Sequence, residues 1–199
     1  WDEIIGPISD RLTDLIAYLN PTSPPESSLL QELFLELCQM LSNIPPTLGP
    51  TDYNARNIVI GPQHDRVFFL ECAKLGWDWS ERRLVQYTTG MGAGHHQGNF
   101  KSLLTPKTAK QYAVHAAAYR TQAPDQILHW LDGHHIVFHI LAVSRLLDAS
   151  TNTNHPLRLA WQNPDARRKQ LRAILARPLS DHLQHIRLRS FFQKNLKKS

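Results

Sequence analysis

The stretch from Asp52 to Tyr87, DYNARNIVIGPQHDRVFFLECAKLGWDWSERRLVQY, constrains the fold more than any other part of the chain. Asn57-Ile-Val-Ile60 and Arg66-Val-Phe-Phe-Leu-Glu71 are short runs of β-branched and aromatic residues, and Gly61-Pro-Gln-His-Asp65 between them is rich in turn formers. Two such runs so close together predict an antiparallel hairpin. The second run ends in an acid, Glu71, which a hairpin carries back beside Asn57. Asp52 lies five residues before Asn57, and Gly76-Trp77-Asp78 follows as an expected turn.

The segments on either side have the period of helices. Trp1 to Asn20 carries Ile4, Ile5, Ile8, Leu12, Leu15, Ile16 and Leu19 at three-four spacing, the mark of an amphipathic helix. After Asn20-Pro-Thr-Ser-Pro-Pro25, Ser23, Pro24 and Glu26 supply a cap, a first-turn proline and a capping-box acid. A second helix is expected there, with a core face of Leu30, Leu33, Phe34, Leu37, Met40 and Leu41, stopped by Asn43-Ile-Pro-Pro46. Glu81 to Tyr87 predicts a short helix, and Thr88 to Phe100, TTGMGAGHHQGNF, a glycine-rich loop. That loop fits neither nucleotide fingerprint: Gln97 stands at the third glycine of one, and Asn99 where the other needs lysine. Thr105-Pro106, Ala123-Pro124 and Asn163-Pro164 read as helix starts. Helices are expected over about 110–119, 124–148, 164–177 and 181–197. The fold class is therefore mainly α with one small β-hairpin.

The order acid, amide, hairpin, acid, then Gly-Trp-Asp resembles the C-terminal lobe of the aminoglycoside phosphotransferase and choline kinase family, distant relatives of protein kinases. Asp52 falls on that family's catalytic aspartate, Asn57 on its metal-binding asparagine, and Phe69-Leu70-Glu71 on its Phe-Ile-Asp, with Gly76-Trp77-Asp78 on the turn that follows. The chain departs from the pattern in three places: Pro50-Thr51 stands for His-Gly, Glu71 for aspartate, and Arg82-Arg83-Leu84 for Asp-Leu-Ala. Lipopolysaccharide-type sugar kinases of the same superfamily offer a second resemblance. The match spans about forty residues. It implies one kinase-like C-lobe (α+β) over 1–199, with the N-lobe absent from this chain and 164–199 as a basic helical extension. It further implies an ATP-dependent phosphotransferase acting on a small-molecule or sugar hydroxyl, in which Asp52 takes the proton while Asn57 and Glu71 hold Mg²⁺ on ATP. The alternative is a catalytically inactive kinase-like lobe that binds a ligand or protein. Trp1 to Gly49 holds no lysine and only Gly6 and Gly49 as glycines. The lysine and glycine-rich cover needed for ATP are accordingly expected outside these residues, and the isolated chain is expected to be inactive.

Composition narrows the remaining classes. With 199 residues, 42% hydrophobic and 20% charged, the chain can bury a full core. The first residue is Trp1, which suggests a processed product or a fragment. No signal-peptide plan or spanning helix is legible, and Cys38 and Cys72 look like reduced packing residues, all consistent with a cytoplasmic setting. The net charge of +5 is unevenly placed: Pro164 to Ser199 holds ten Lys and Arg against two Asp. This basic end, with Leu188, Phe192 and Leu196 on one helical stripe, predicts a terminal helix packed by its apolar residues with its charges in water. It also offers a surface for an anionic membrane or an acidic partner. Nucleic acid is not expected, because no recognition motif accompanies the charge. His135 and His139, four apart, share a helix face, but no third ligand accompanies them, so both read as buried or capping histidines.

Overall fold

The computed structural model describes residues 27–51, 57–63, 66–70, 74–91, 100–151, 169 and 172–196. The expected helix over 1–20, the Ser23 cap, Asp52, Glu71, Cys72, the loop residues 92–99 and the Asn163-Pro164 start lie outside them. The described chain is mainly helical. In order it forms α1 (Ser27–Ser42), β1 (Thr47–Pro50), β2 (Ile58–Ile60), β3 (Val67–Phe69), β4 (Leu75–Asp78), α2 (Ser80–Thr88), β5 (Thr89–Met91), β6 (Phe100–Ser102), α3 (Pro106–Ala117), α4 (Pro124–Thr151) and α5 (Leu183–Leu196). No described helix is long and apolar enough to cross a membrane.

The long central helix α4 organises two hydrophobic clusters. Along its later turns Ile136, Val137 and Ile140 meet Leu30, Leu33, Phe34, Leu37 and Leu41 of α1, together with Leu188, Phe191 and Phe192 of α5. Along its first turns Ile127, Leu128 and Leu131 meet Val85 of α2 and Ala109 and Ala113 of α3. The α1 residues recur every three or four positions, so the face read from the sequence is the face that is buried. Gly133 marks the crossing of α4 and α1, because a Cβ there would stand 3.0 Å from Leu41 Cδ2 and Met40 Cε. Helix α3 begins where Thr105-Pro106 predicts. Thr105 Oγ1 accepts from the Thr108 N–H at 3.2 Å, and Thr108 Oγ1 accepts from the Thr105 N–H at 2.8 Å, a reciprocal cap.

Sheet content exceeds the single expected hairpin. Among the described residues three separate antiparallel two-stranded ribbons form: β1 with β4, β2 with β3, and β5 with β6. The predicted hairpin is the second, with Ile58 opposite Phe69 and Ile60 opposite Val67. Gly76-Trp77-Asp78 is not a turn but strand, lying opposite Gly49, Leu48 and Thr47. The ends of the expected glycine-rich loop also zip together, Thr89 opposite Ser102 and Met91 opposite Phe100.

The basic helix α5 departs from the picture of aromatics inward and charges in water. Leu188 and Phe192 are buried as expected, but so is Arg189. Its guanidinium is paired with Asp132 of α4 and donates to the Leu175 carbonyl at 2.6 Å. Asp132 also accepts from Ser180 N–H at 3.1 Å and Ser180 Oγ at 2.9 Å, so both charges are hydrogen-bonded as burial requires.

Five histidines are buried with this core: His129, His134, His135, His139 and His185. Burial first of all lowers their pKa values, to about 3 for His134 and about 4 for His139. For His135 neighbouring His139, Arg189 and Arg177 act in the same direction. A ring that must stay neutral in the fold but can protonate when unfolded gives full stability above its unfolded pKa of about 6.5. That stability is lost as pH falls toward the folded pKa, at about 1.4 kcal/mol per pH unit per ring. The urea midpoint is therefore expected to drop steeply between pH 7 and pH 5. His134→Phe should flatten the drop, and a midpoint unchanged over that range would contradict this account.

Candidate functional site

The two ribbons around the Asp52 to Tyr87 stretch are nested. Strands β1 and β4 form the outer pair, extended one step by Thr51, whose N–H and Oγ1 both donate to the Lys74 carbonyl, at 2.8 and 2.9 Å. The inner hairpin starts at Asn57, whose carbonyl accepts from the Leu70 N–H at 2.8 Å, and closes near its tip where the Gly61 N–H donates to the Arg66 carbonyl at 2.8 Å. Two connectors join outer ribbon to inner hairpin, 52–56 on one strand and 71–73 on the other. Asp52 and Glu71 belong to these connectors and lie outside the described residues. Each is the immediate chain neighbour of a paired position, Thr51 for Asp52 and Leu70 for Glu71. Asn57 is described and half-buried.

The outer ribbon is held from below by Arg83 of α2. Its guanidinium is buried and donates to the Thr47 carbonyl at 2.6 Å, to Thr47 Oγ1 at 3.1 Å and to the Gly76 carbonyl at 3.1 Å, one contact set on each strand. The planar five-donor fork of arginine suits such a clamp, whereas a lysine ammonium cannot span it. Helix α2 is fixed in turn at its first residues. Asp78 accepts from the Trp79 N–H at 2.8 Å and pairs with Arg82, and Trp79 Nε1 donates to the Ile44 carbonyl at 2.7 Å. Glu81, fully buried, accepts from Arg120 at 2.7 Å and from the Tyr112 hydroxyl at 3.2 Å. Burial and the neighbouring Glu81 carboxylate raise the Tyr112 pKa. Thus Arg82-Arg83, read only as a departure from a family pattern, is structural: one residue pins Asp78 and the other clamps the ribbon.

The opposite face of the outer ribbon is apolar and exposed. Leu48 stands across from Trp77, and Pro50 across from Leu75, which puts all four on one face. Trp77 is 71% exposed and Leu48 62%. On the inner hairpin Val59 and Phe68, directly opposite each other, are also exposed, as are Ile60 and Val67 on its other face.

The histidines form clusters without converging on a metal. His129 stacks on His182 with ring centroids 3.6 Å apart, and His135 and His139 lie 4.4 Å apart. His139 Nδ1 is 2.6 Å from the His135 carbonyl, a back-bond within the helix. Among the described residues no group of three His, Cys, Asp or Glu side chains could hold a metal ion. Cys38 is a free thiol buried on α1, its pKa pushed up to about 12 by burial.

Compared with models of known protein families, with curated proteins and with solved structures, the chain matches none.

The clamp is directly testable. A Cβ at Gly49 would lie 2.8 Å from the Arg83 Cζ and closer still to Nη1, so Gly49→Ala must displace a guanidinium fixed by three acceptors. A loss of about 1–3 kcal/mol in urea unfolding is expected, the range for overpacking. Arg83→Lys should also destabilise the chain, since the ammonium cannot reach both strands. If Gly49→Ala is neutral, Arg83 does not clamp the ribbon.

Proposed function

We propose that this chain supplies the catalytic and substrate-binding lobe of a kinase-like phosphotransferase acting on a hydroxyl of a small molecule or sugar. The observation that carries the reading is the nesting of the two ribbons. The pairs Thr51–Lys74 and Asn57–Leu70 bracket both connectors, and Asp52 and Glu71 each follow one of these paired positions in the chain. The reading takes the acid, the amide and the second acid to act together beside this pairing, the grouping that phosphoryl transfer requires.

In this reading Asp52 accepts the proton of the attacking hydroxyl. The Asn57 amide oxygen and the Glu71 carboxylate are hard oxygen donors, suited to Mg²⁺. Mg²⁺, when bound, supplies charge neutralisation on the phosphates of ATP. The glycine-rich cover and the phosphate-pairing lysine are assigned to a separate nucleotide-binding lobe, because the residues before Asp52 hold no lysine.

A second reading, a kinase-like lobe that binds a ligand or protein without catalysis, is favoured by one observation. The exposed Leu48, Leu75 and Trp77, with half-buried Pro50 on the same face, lie on the strand pair that leads into Asp52, where a docked partner would cover the neck.

Titration calorimetry and a phosphotransfer assay separate the two. The 199-residue chain alone is expected to bind MgATP weakly or not at all. Joined to a nucleotide-binding lobe it should bind MgATP, and Asp52→Asn should then lower turnover by about 10²–10⁴-fold with binding retained, the range for loss of a general base. Asn57→Ala should weaken the Mg²⁺ dependence of nucleotide binding. Full turnover by a folded Asp52→Asn variant would remove Asp52 as the base.

A further inference from the structure

Away from the ribbons, α1 and α5 leave a half-open groove of about 520 Å³ between them. Its apolar lining is Leu29, Leu33, Ile186 and Phe191, of which Leu33 and Phe191 are buried, and its polar members are Arg187, Ser190 and Lys194. The inward side of α5 is already spent on Leu188, Arg189, Phe192 and the buried His185. The groove therefore uses the helix's second face. That face continues past the groove through Leu183, which is 77% exposed, so Leu183, Ile186, Arg187, Ser190 and Lys194 make one stripe at helical spacing.

The spacing of the cations identifies the occupant. Arg187 and Lys194 are seven residues apart on α5, hence on the same side and about 10 Å apart along the axis. Leu29 and Leu33 repeat at one turn on α1, on the other wall of the groove. A helix laid along the groove presents acids seven apart and apolar residues at three-four spacing with the same two periods. The cations are available to it. Among the described residues Arg187 meets one acid, Glu36, at 3.8 Å, with the Arg187 side chain exposed and Glu36 partly so, a pairing that contributes little and exchanges readily. Lys194 has no acidic partner among the described residues. A bilayer suits the site less well. Its apolar interior would need a convex apolar face with cations around it, whereas here Leu33 and Phe191 lie buried at the bottom of a cleft between two helices.

We propose that the α1/α5 groove receives an acidic amphipathic helix of a protein partner, its acids seven residues apart facing Arg187 and Lys194 and its apolar residues seated on Leu29, Leu33, Ile186 and Phe191. This is the helix-in-groove mode of recognition, with the apolar contact supplying affinity and the two charges setting register. It is independent of the Asp52 neck and of any phosphotransfer.

The test uses fluorescence anisotropy with the 199-residue chain and three labelled synthetic amphipathic peptides of about five helical turns. They share one leucine face and differ at two positions seven apart, which carry Glu, Gln or Lys. The Glu peptide should bind saturably, about tenfold tighter than the Gln peptide, and weaken several-fold as NaCl rises from about 50 to 300 mM. The double variant R187E/K194E should reject the Glu peptide and accept the Lys peptide. Both cations are exposed or on the groove rim, so the reversal does not depend on refolding the core, and far-ultraviolet circular dichroism verifies this. Ile186→Asp should weaken all three peptides. Equal binding of the Glu and Gln peptides overturns the proposal, as does failure of the Lys peptide to bind the reversed variant. Co-sedimentation with phosphatidylserine vesicles that is lost in R187E/K194E, without peptide binding, assigns the groove to a membrane and overturns it too. So does a dimer of the chain, seen by ultracentrifugation, that the same double variant dissociates.

Discussion

The arrangement of the helices depends on one buried ion pair, Asp132 of α4 with Arg189 of α5. Two charges removed from water cost several kcal/mol each unless every donor and acceptor position is used, and here the use is extensive. Arg189 reaches the carbonyls of Ile174 and Leu175 as well as Asp132, and Asp132 collects Ser180 Oγ and the N–H groups of Leu179 and Ser180. Three pieces of chain are thereby fixed on one carboxylate: the middle of α4, the turn at 179–180 and the body of α5. With α5 held in this rotation, Leu188 and Phe192 must face α1 and α4, and Ile186, Arg187 and Ser190 must face outward. The groove beside α1 is a geometric consequence of that pair. An apolar replacement of similar volume can fill the space, but nothing apolar gathers three separate backbone segments on one point.

A different cation does the equivalent work under the outer ribbon. Arg83 is buried, and among the described residues its charge is distributed over two carbonyls and a hydroxyl rather than a carboxylate. Charge-assisted bonds to neutral acceptors are stronger than ordinary ones, which offsets part of the desolvation of the guanidinium. The arrangement joins strands separated by more than twenty residues of intervening chain. It also explains the two glycines of the ribbon: Gly49 leaves room for the guanidinium, and Gly76 for Thr51 Cγ2, which would lie 2.8 Å from an added Cβ.

What the sequence discloses divides along the line between local and distant causes. The face of α1, the start of α3 at Thr105 and the β2–β3 hairpin are set by residues within a few positions of one another, and each was legible. The β1–β4 ribbon was not. Thr47-Leu-Gly-Pro50 contains the two residues least suited to strands, and its pairing relies on Arg83, thirty-six residues from Thr47. Arg189 was read as a solvated charge for the same reason: its partner Asp132 is fifty-seven residues away. Helix α4 hid its role because its buried side includes His129, Asp132, His134, His135 and His139, so polarity does not mark its outer face. For the candidate site, the hairpin and its Asn57 were legible, whereas the outer ribbon that brackets Asp52 and Glu71 was not.

The two nested ribbons differ in what stabilises them, and the difference bears on how the neck could work. The outer pair is anchored by Arg83 and by the start of α2. The inner hairpin has three residues on each strand, and apolar side chains are exposed on both of its faces. A two-stranded hairpin that covers no core is marginal by itself in water. Its exposed Val59, Ile60, Val67 and Phe68 would gain stability from any surface that covered them, at roughly 25 cal/mol for each Å² of apolar area removed from water. A surface docking there would therefore stabilise the Asn57–Leu70 pairing as it bound. Under the proposed reading, assembly of the nucleotide-binding lobe and positioning of the catalytic neck are one event, because the same hairpin residues take part in both.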